Sequence, residues 1–123
     1  MSEEGVVKDF KQATKYFQRS SEQGNSEGFN AIGLCYANGY SVEKDYLKAT
    51  SFYQKSSELG SSNALNNLGW LYEEGLGVEQ NYSKAAELYQ KSSELENSNA
   101  LNNLGRLYEE GLGVEQNYSK AAE

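Results

Sequence analysis

The chain has no histidine, no proline, one cysteine and one tryptophan, and its 123 residues carry 11 basic against 18 acidic side chains. Without histidine it lacks the commonest general base and the commonest transition-metal ligand, so ordinary catalytic constellations are hard to assemble from it, and neither a cofactor nor a metal is expected. A lone cysteine, Cys35, makes no internal disulfide. The net charge of −7 argues against a nucleic-acid binder, which needs clustered Lys and Arg to displace counterions from phosphates, and it disfavours an anionic membrane surface in the same way. No apolar stretch approaches a membrane span, and the start, MSEEGVVKDF, lacks the basic region and apolar run of a secretory signal. A cytoplasmic, monomeric chain is expected. Nothing resembles a Pro- or Ser-rich linker, so residues 1–123 are read as one continuous domain.

What the chain does have is repetition. Residues 63–87, NALNNLGWLYEEGLGVEQNYSKAAE, return at 99–123 with a single change, Arg106 in place of Trp70. Gly33, Gly69 and Gly105 mark a period of 36 without insertions. Such a period is a mark of duplication into a repeat architecture. Charge is uneven across it: residues 1–60 carry seven basic and eight acidic side chains, and 61–123 carry four and ten. The second half therefore favours a basic partner.

Within one copy, Leu65, Leu68, Gly69 and Tyr72 fall at i, i+3, i+4 and i+7, one stripe of a helix (A) over about 63–74. Gly75 and Gly77 can take the positive φ that ends a helix and turns the chain, and Val78 offers an apolar plug beneath the loop. Asn81 can cap a second helix (B), in which Ala85, Ala86, Tyr89 and Ser93 keep helical spacing. Small Ala85, Ala86, Ser92 and Ser93 allow close approach, and the tyrosines fill the space left. Neither helix buries its stripe alone, so pairs must stack on one another, an all-α architecture of antiparallel helix pairs wound into a right-handed α-solenoid. The expected order is B (about 8–23), A (27–38), B (45–59), A (63–74), B (81–95), A (99–110) and a started B from about 117. Repeats are placed at about 27–62, 63–98 and 99–123. The last is read as truncated, which should leave the final A helix poorly covered and the end frayed at Glu123.

The motifs Leu68-Gly69 with Tyr72, Gly75 with Gly77-Val78, and Lys84-Ala85 with Tyr89 resemble the Sel1-like repeat, over nearly the whole chain. The resemblance implies a tetratricopeptide-like solenoid that binds other proteins without catalysis, often as an adaptor or scaffold in signalling, cell-envelope or protein-quality-control complexes. Two departures stand out: the loop at Gly39-Tyr40-Ser41-Val42 lacks the second glycine, and Glu96 stands where Gly24 and Gly60 close other copies. Asn97 is the expected left-handed residue at the second place. Relatives with two cysteines per repeat form disulfides, and Cys35 alone excludes that subtype.

A step of 100° per residue sets Asn63, Asn66, Trp70 and Glu73 roughly opposite the packed stripe, with Asn67 and Glu74 flanking. In tetratricopeptide-like solenoids this face lines the concave groove, so the resemblance makes Leu34, Trp70 and Arg106 successive groove positions. The one difference between copies would then alter recognition and leave packing alone. Tryptophan and arginine are favoured interface anchors. Asn63, Asn66, Asn99 and Asn102 would bond a peptide backbone, and Glu73, Glu74, Glu109 and Glu110 would attract basic residues flanking an apolar anchor. The plainer reading has Trp70 covering a neighbouring helix and Arg106 pairing with Glu109 and Glu110, at about 0.3–0.5 kcal/mol each.

Other chemistry is weaker. Cys35 aligns with Leu71 and Leu107 and reads as an apolar filler. Ser41 and Lys44 match Ser-x-x-Lys, and β-lactam binding is a theme of cysteine-rich relatives, which makes a β-lactam-processing hydrolase the alternative function. Gly75 and Gly77 end a helix and are followed by no Lys-Ser/Thr, so they make no phosphate cradle. Paired Glu73-Glu74 and Glu109-Glu110 lack the carbonyl ligands of a calcium site. Asn81 and Asn117 open glycosylation patterns that matter only in a secretory compartment. A purely structural segment of a longer solenoid is the third reading.

Overall fold

The computed structural model describes residues 9–114. Six helices of 13 residues run in the order α1 (Phe10–Glu22), α2 (Ser26–Asn38), α3 (Tyr46–Glu58), α4 (Ser62–Glu74), α5 (Tyr82–Glu94) and α6 (Ser98–Glu110), with no strand among the described residues. Helices α2, α4 and α6 are the A type, and α1, α3 and α5 the B type. Their ends fall within one or two residues of the positions read from the periodicity. The helix expected from about 117, the fraying at Glu123 and the pattern at Asn117 lie outside the described residues. No described helix is long and apolar enough to cross a membrane.

Side-chain caps set each start. Asp9, Asp45 and Asn81 accept the backbone N–H of Gln12, Lys48 and Lys84 at the B helices. Asn25, Ser61 and Asn97 do the same for Glu27, Ala64 and Ala100 at the A helices. Each bond satisfies a donor that the helix itself leaves open. The A helices stop at left-handed Gly39, Gly75 and Gly111, and Gly77 follows with φ 75°, as its place in the loop requires.

The expectation for Asn97 is not met. Glu96 itself takes the left-handed conformation of Gly24 and Gly60, with φ 63°, while Asn97 stays extended at φ −78° as the α6 cap. The turn is fixed by bonds from Glu96 N to Ser93 O and Asn97 N to Ser92 O, so the backbone path wins over the side chain's preference. Ser41 likewise keeps φ 59° where other copies use Gly77 and Gly113.

Packing follows the stripe. Consecutive helices pack along the chain, and α2 also touches α4. Ala49, Ala64, Ala85 and Ala100 are fully buried, and Leu71, Leu107 and Tyr89 fill the space between them. Val78 packs against this core, as a plug under the loop should. A Cβ built on Gly69 would stand 2.8 Å from the Tyr89 ring, and one on Gly33 2.6 Å from the Tyr53 ring, so these glycines let each tyrosine lie against the A-helix backbone. The small serines also bond: Ser56 Oγ donates to Ser26 O at 2.6 Å and Ser92 Oγ to Ser62 O at 2.7 Å, tying α3 and α5 to the start of the A helix before each.

Candidate functional site

Leu34 and Trp70, one period apart on α2 and α4, are both exposed, at 37% and 43%. Together with half-buried Asn66 they line a groove of about 330 Å³. Ala37 and Tyr53 form the wall beneath, Asn38 and Lys44 stand at the carboxyl end of α2, and Asn103 reaches in from α6. The groove thus joins Leu34, Asn66 and Trp70 with flanking Asn67, and Lys44, Asn38 and Asn103 are added. Arg106 and Asn102 lie instead with Leu101 and Glu109 on α6.

The asparagines form a ladder between A helices. Asn67 Nδ2 donates to Asn30 Oδ1 at 3.0 Å and Asn103 Nδ2 to Asn66 Oδ1 at 2.9 Å, the same pair of positions used one period later. Asn97 Nδ2 donates to Asn63 Oδ1 at 2.9 Å. The side-chain oxygens of Asn63 and Asn66 are therefore engaged within the protein, and the amide N–H groups of Asn66 remain for a ligand. Asn99 and Asn102 are exposed on α6.

Glu73 departs from its expected role. It is buried, with 6% of its surface exposed, and its carboxylate closes a three-residue cluster. Arg106 grips both oxygens, Nη2 to Oε1 at 2.8 Å and Nη1 to Oε2 at 2.7 Å, while Tyr89 Oη donates to Oε1 at 2.7 Å. Burial alone would raise the carboxyl's pKa, yet the hydrogen bonds from Arg106 and Tyr89 and the guanidinium charge outweigh it and hold Glu73 below the usual value. Burial, then the bond to Glu73, pushes the Tyr89 phenol up. The bond to Glu73 is also the main reason that Arg106 is raised. So Glu73 is not available to a basic ligand, because Arg106 neutralises it and α5 covers it. Glu74, Glu109 and Glu110 are exposed, and Glu110 lies 3.7 Å from Arg106.

This geometry explains the single difference between the copies more fully than an exposed face would. Ala37 and Glu73 share one register, as do Trp70 and Arg106. Where the preceding repeat offers Ala37, the next places Trp70 and a cavity remains; where it offers Glu73, the next places Arg106 and an ion pair bridges the helices. The change from Trp to Arg therefore alters packing between repeats as well as the surface. The signal was present in the sequence, since Glu73 follows Gly69 by four residues and so returns toward the packed stripe.

Other candidates go elsewhere. Ser41 Oγ lies 3.2 Å from Thr14 Oγ1, and Lys44 Nζ sits over the Tyr46 ring at 5.5 Å, so their described contacts do not join them as a nucleophile and its base. Cys35 is a buried free thiol in the place of Leu71. No group of three or more metal-ligating side chains occurs among the described residues.

The Sel1 repeat model matches the chain at residues 1–25, 30–61, 62–97 and 98–123. The chain belongs to the Sel1 repeat family. Members of this family are generally protein-interaction modules and typically non-catalytic scaffolds. Among solved structures, a protective antigen of uropathogenic Escherichia coli strains with an SLR fold is 34% identical, with a TM-score of 0.85 over 95% of this chain and 27% of that one. A Sel1 repeat protein from Oxalobacter formigenes is 35% identical, with a TM-score of 0.79 over 89% of this chain and 48% of that one. The cysteine-rich protein B of Helicobacter pylori is 30% identical, with a TM-score of 0.70 over 95% and 84%. This chain thus spans about a quarter and about half of the first two Sel1 structures. No match was found among curated proteins.

Proposed function

We propose that this Sel1 chain is a non-enzymatic adaptor or scaffold in the cytoplasm, whose groove between α2 and α4 takes a segment of a partner protein. The observation that carries the reading is Trp70: a large indole, 43% exposed, stands beside Leu34 over a cavity of about 330 Å³. Buried aromatic anchors supply much of the affinity in protein interfaces, and a cavity beside an exposed indole suits an apolar side chain. The free amide N–H groups of Asn66 suit a peptide carbonyl. Exposed Glu74 and Glu110 at the ends of α4 and α6, in the acidic half of the chain, favour basic residues in the partner's flanks.

The test is affinity capture with the wild type beside Trp70→Ala, both verified as folded by circular dichroism, followed by titration of the purified partner. A partner lost with Trp70 supports the groove. Equal capture and equal affinity would place the interface elsewhere or leave these repeats a purely architectural role.

A further inference from the structure

Resting on the reading of this groove as a ligand site, we infer that its occupant places an acidic side chain next to its apolar anchor. The overall charge of −7 points to a basic ligand, but the groove itself is charged the other way. Among its described lining residues Lys44 alone carries a formal charge. Its ammonium is held over the Tyr46 ring and makes no ion pair among the described residues. Glu43 and Asp45, which flank Lys44 in the chain, do not line the groove, and Asp45 accepts the Lys48 N–H as the α3 cap; Glu73 is turned inward and neutralised by Arg106. Asn66, its oxygen taken by Asn103, offers donors, while Asn38, Asn67 and Asn103 spend a donor within the protein and keep their oxygens as neutral acceptors. A carboxylate beside Lys44 and Asn66 meets a cation and amide N–H groups, whereas a ligand lysine at that end would meet Lys44. Lys44 is exposed, so its pull reaches only a group seated within a screening length of about 10 Å, as a side chain in this groove is.

The second interface supports the assignment by contrast. Lys44 aligns with Gln80, whose Nε2 donates to Glu73 O at 2.9 Å and to Tyr82 Oη at 3.0 Å. There Gln80 serves the loop, and Glu73 with Arg106 occupies the place of the cavity. Ala37, Lys44 and Trp70 therefore differ together from Glu73, Gln80 and Arg106. Small side chain, cation and indole occur at the same interface, the one that is open.

The experiment selects from a random library of pentapeptides, blocked at both ends, on immobilised wild type, Lys44→Gln and Trp70→Ala proteins. Trp70, the only tryptophan, then reports binding of each selected peptide by fluorescence. Lys44→Gln copies Gln80, so the fold tolerates it. The wild type should enrich Asp or Glu beside Leu, Ile or Phe. Lys44→Gln should bind the selected peptide about two- to fivefold more weakly, as loss of an exposed charge contact implies, and with less sensitivity to salt. Enrichment of Lys or Arg by the wild type, or equal binding by Lys44→Gln, overturns the inference and leaves the groove reading standing. If no peptide is enriched, or Trp70→Ala enriches the same ones, the groove reading itself fails.

Discussion

Removing Arg106 should expose how much the bridge between repeats contributes. In Arg106→Ala, the Glu73 carboxylate, on a residue 6% exposed in the wild type, keeps only the Tyr89 hydroxyl as a partner. Breaking a buried pair by removing one member costs about 3–5 kcal/mol. The Arg106 side chain is 36% exposed, so water reaches the pair, and a discounted loss of about 2–3 kcal/mol is expected. The pH dependence is a second readout. The folded carboxyl of the wild type lies below the ordinary glutamate value of 4.5, so its contribution is present above that value and is lost as pH falls through the lower, folded one. Without Arg106, desolvation is opposed by one hydroxyl, the carboxyl shifts upward, and the variant's deficit should shrink once both proteins are protonated. Urea unfolding of both proteins at about pH 7 and about pH 3.5 measures this, and adding Glu73→Gln to Arg106→Ala should recover part of the loss. A deficit below about 0.5 kcal/mol near neutrality, or one of equal size at both pH values, would refute the reasoning.

Two further changes test the packing. Gly69→Ala should destabilise the protein by about 1–3 kcal/mol in urea, although alanine is favoured in a helix by about 1 kcal/mol, because the new Cβ meets the Tyr89 ring; a net gain would show that the ring moves freely. Glu96→Gly should stabilise by about 1 kcal/mol by relieving a left-handed non-glycine residue, and a loss would mean that the glutamate side chain supports the turn.

The helices were legible because the period is exact in length, and each cap and stripe recurs in register. Asn81, Gly75 and Gly77 do what their residue types suggest, and Gly69 with Tyr89 shows why a glycine sits on a packed stripe. Leu34, Asn66 and Trp70 were readable as one face, since helical spacing puts them there. Glu73 was misplaced because it was grouped with the face opposite the packed stripe, although four residues after Gly69 it turns back toward that stripe; its partners, Tyr89 and Arg106, come from other helices. Lys44 was missed for a related reason. It belongs to the loop after α2, and only the stacking of the pairs brings that loop to the mouth of the groove. Glu96 shows the remaining limit: a turn fixed by its hydrogen bonds overrides the preference of the residue placed in it.

The most direct test of the account transplants the second interface into the first. Ala37→Glu combined with Trp70→Arg should let the new carboxylate and guanidinium pair beneath Tyr53, as Glu73 and Arg106 do beneath Tyr89, filling the cavity and removing the indole. Binding of a partner captured by the wild type should then be measured beside urea stability. The account predicts stability within about 1 kcal/mol of the wild type and loss of the partner. A stable double variant that binds the partner as tightly as the wild type would contradict it.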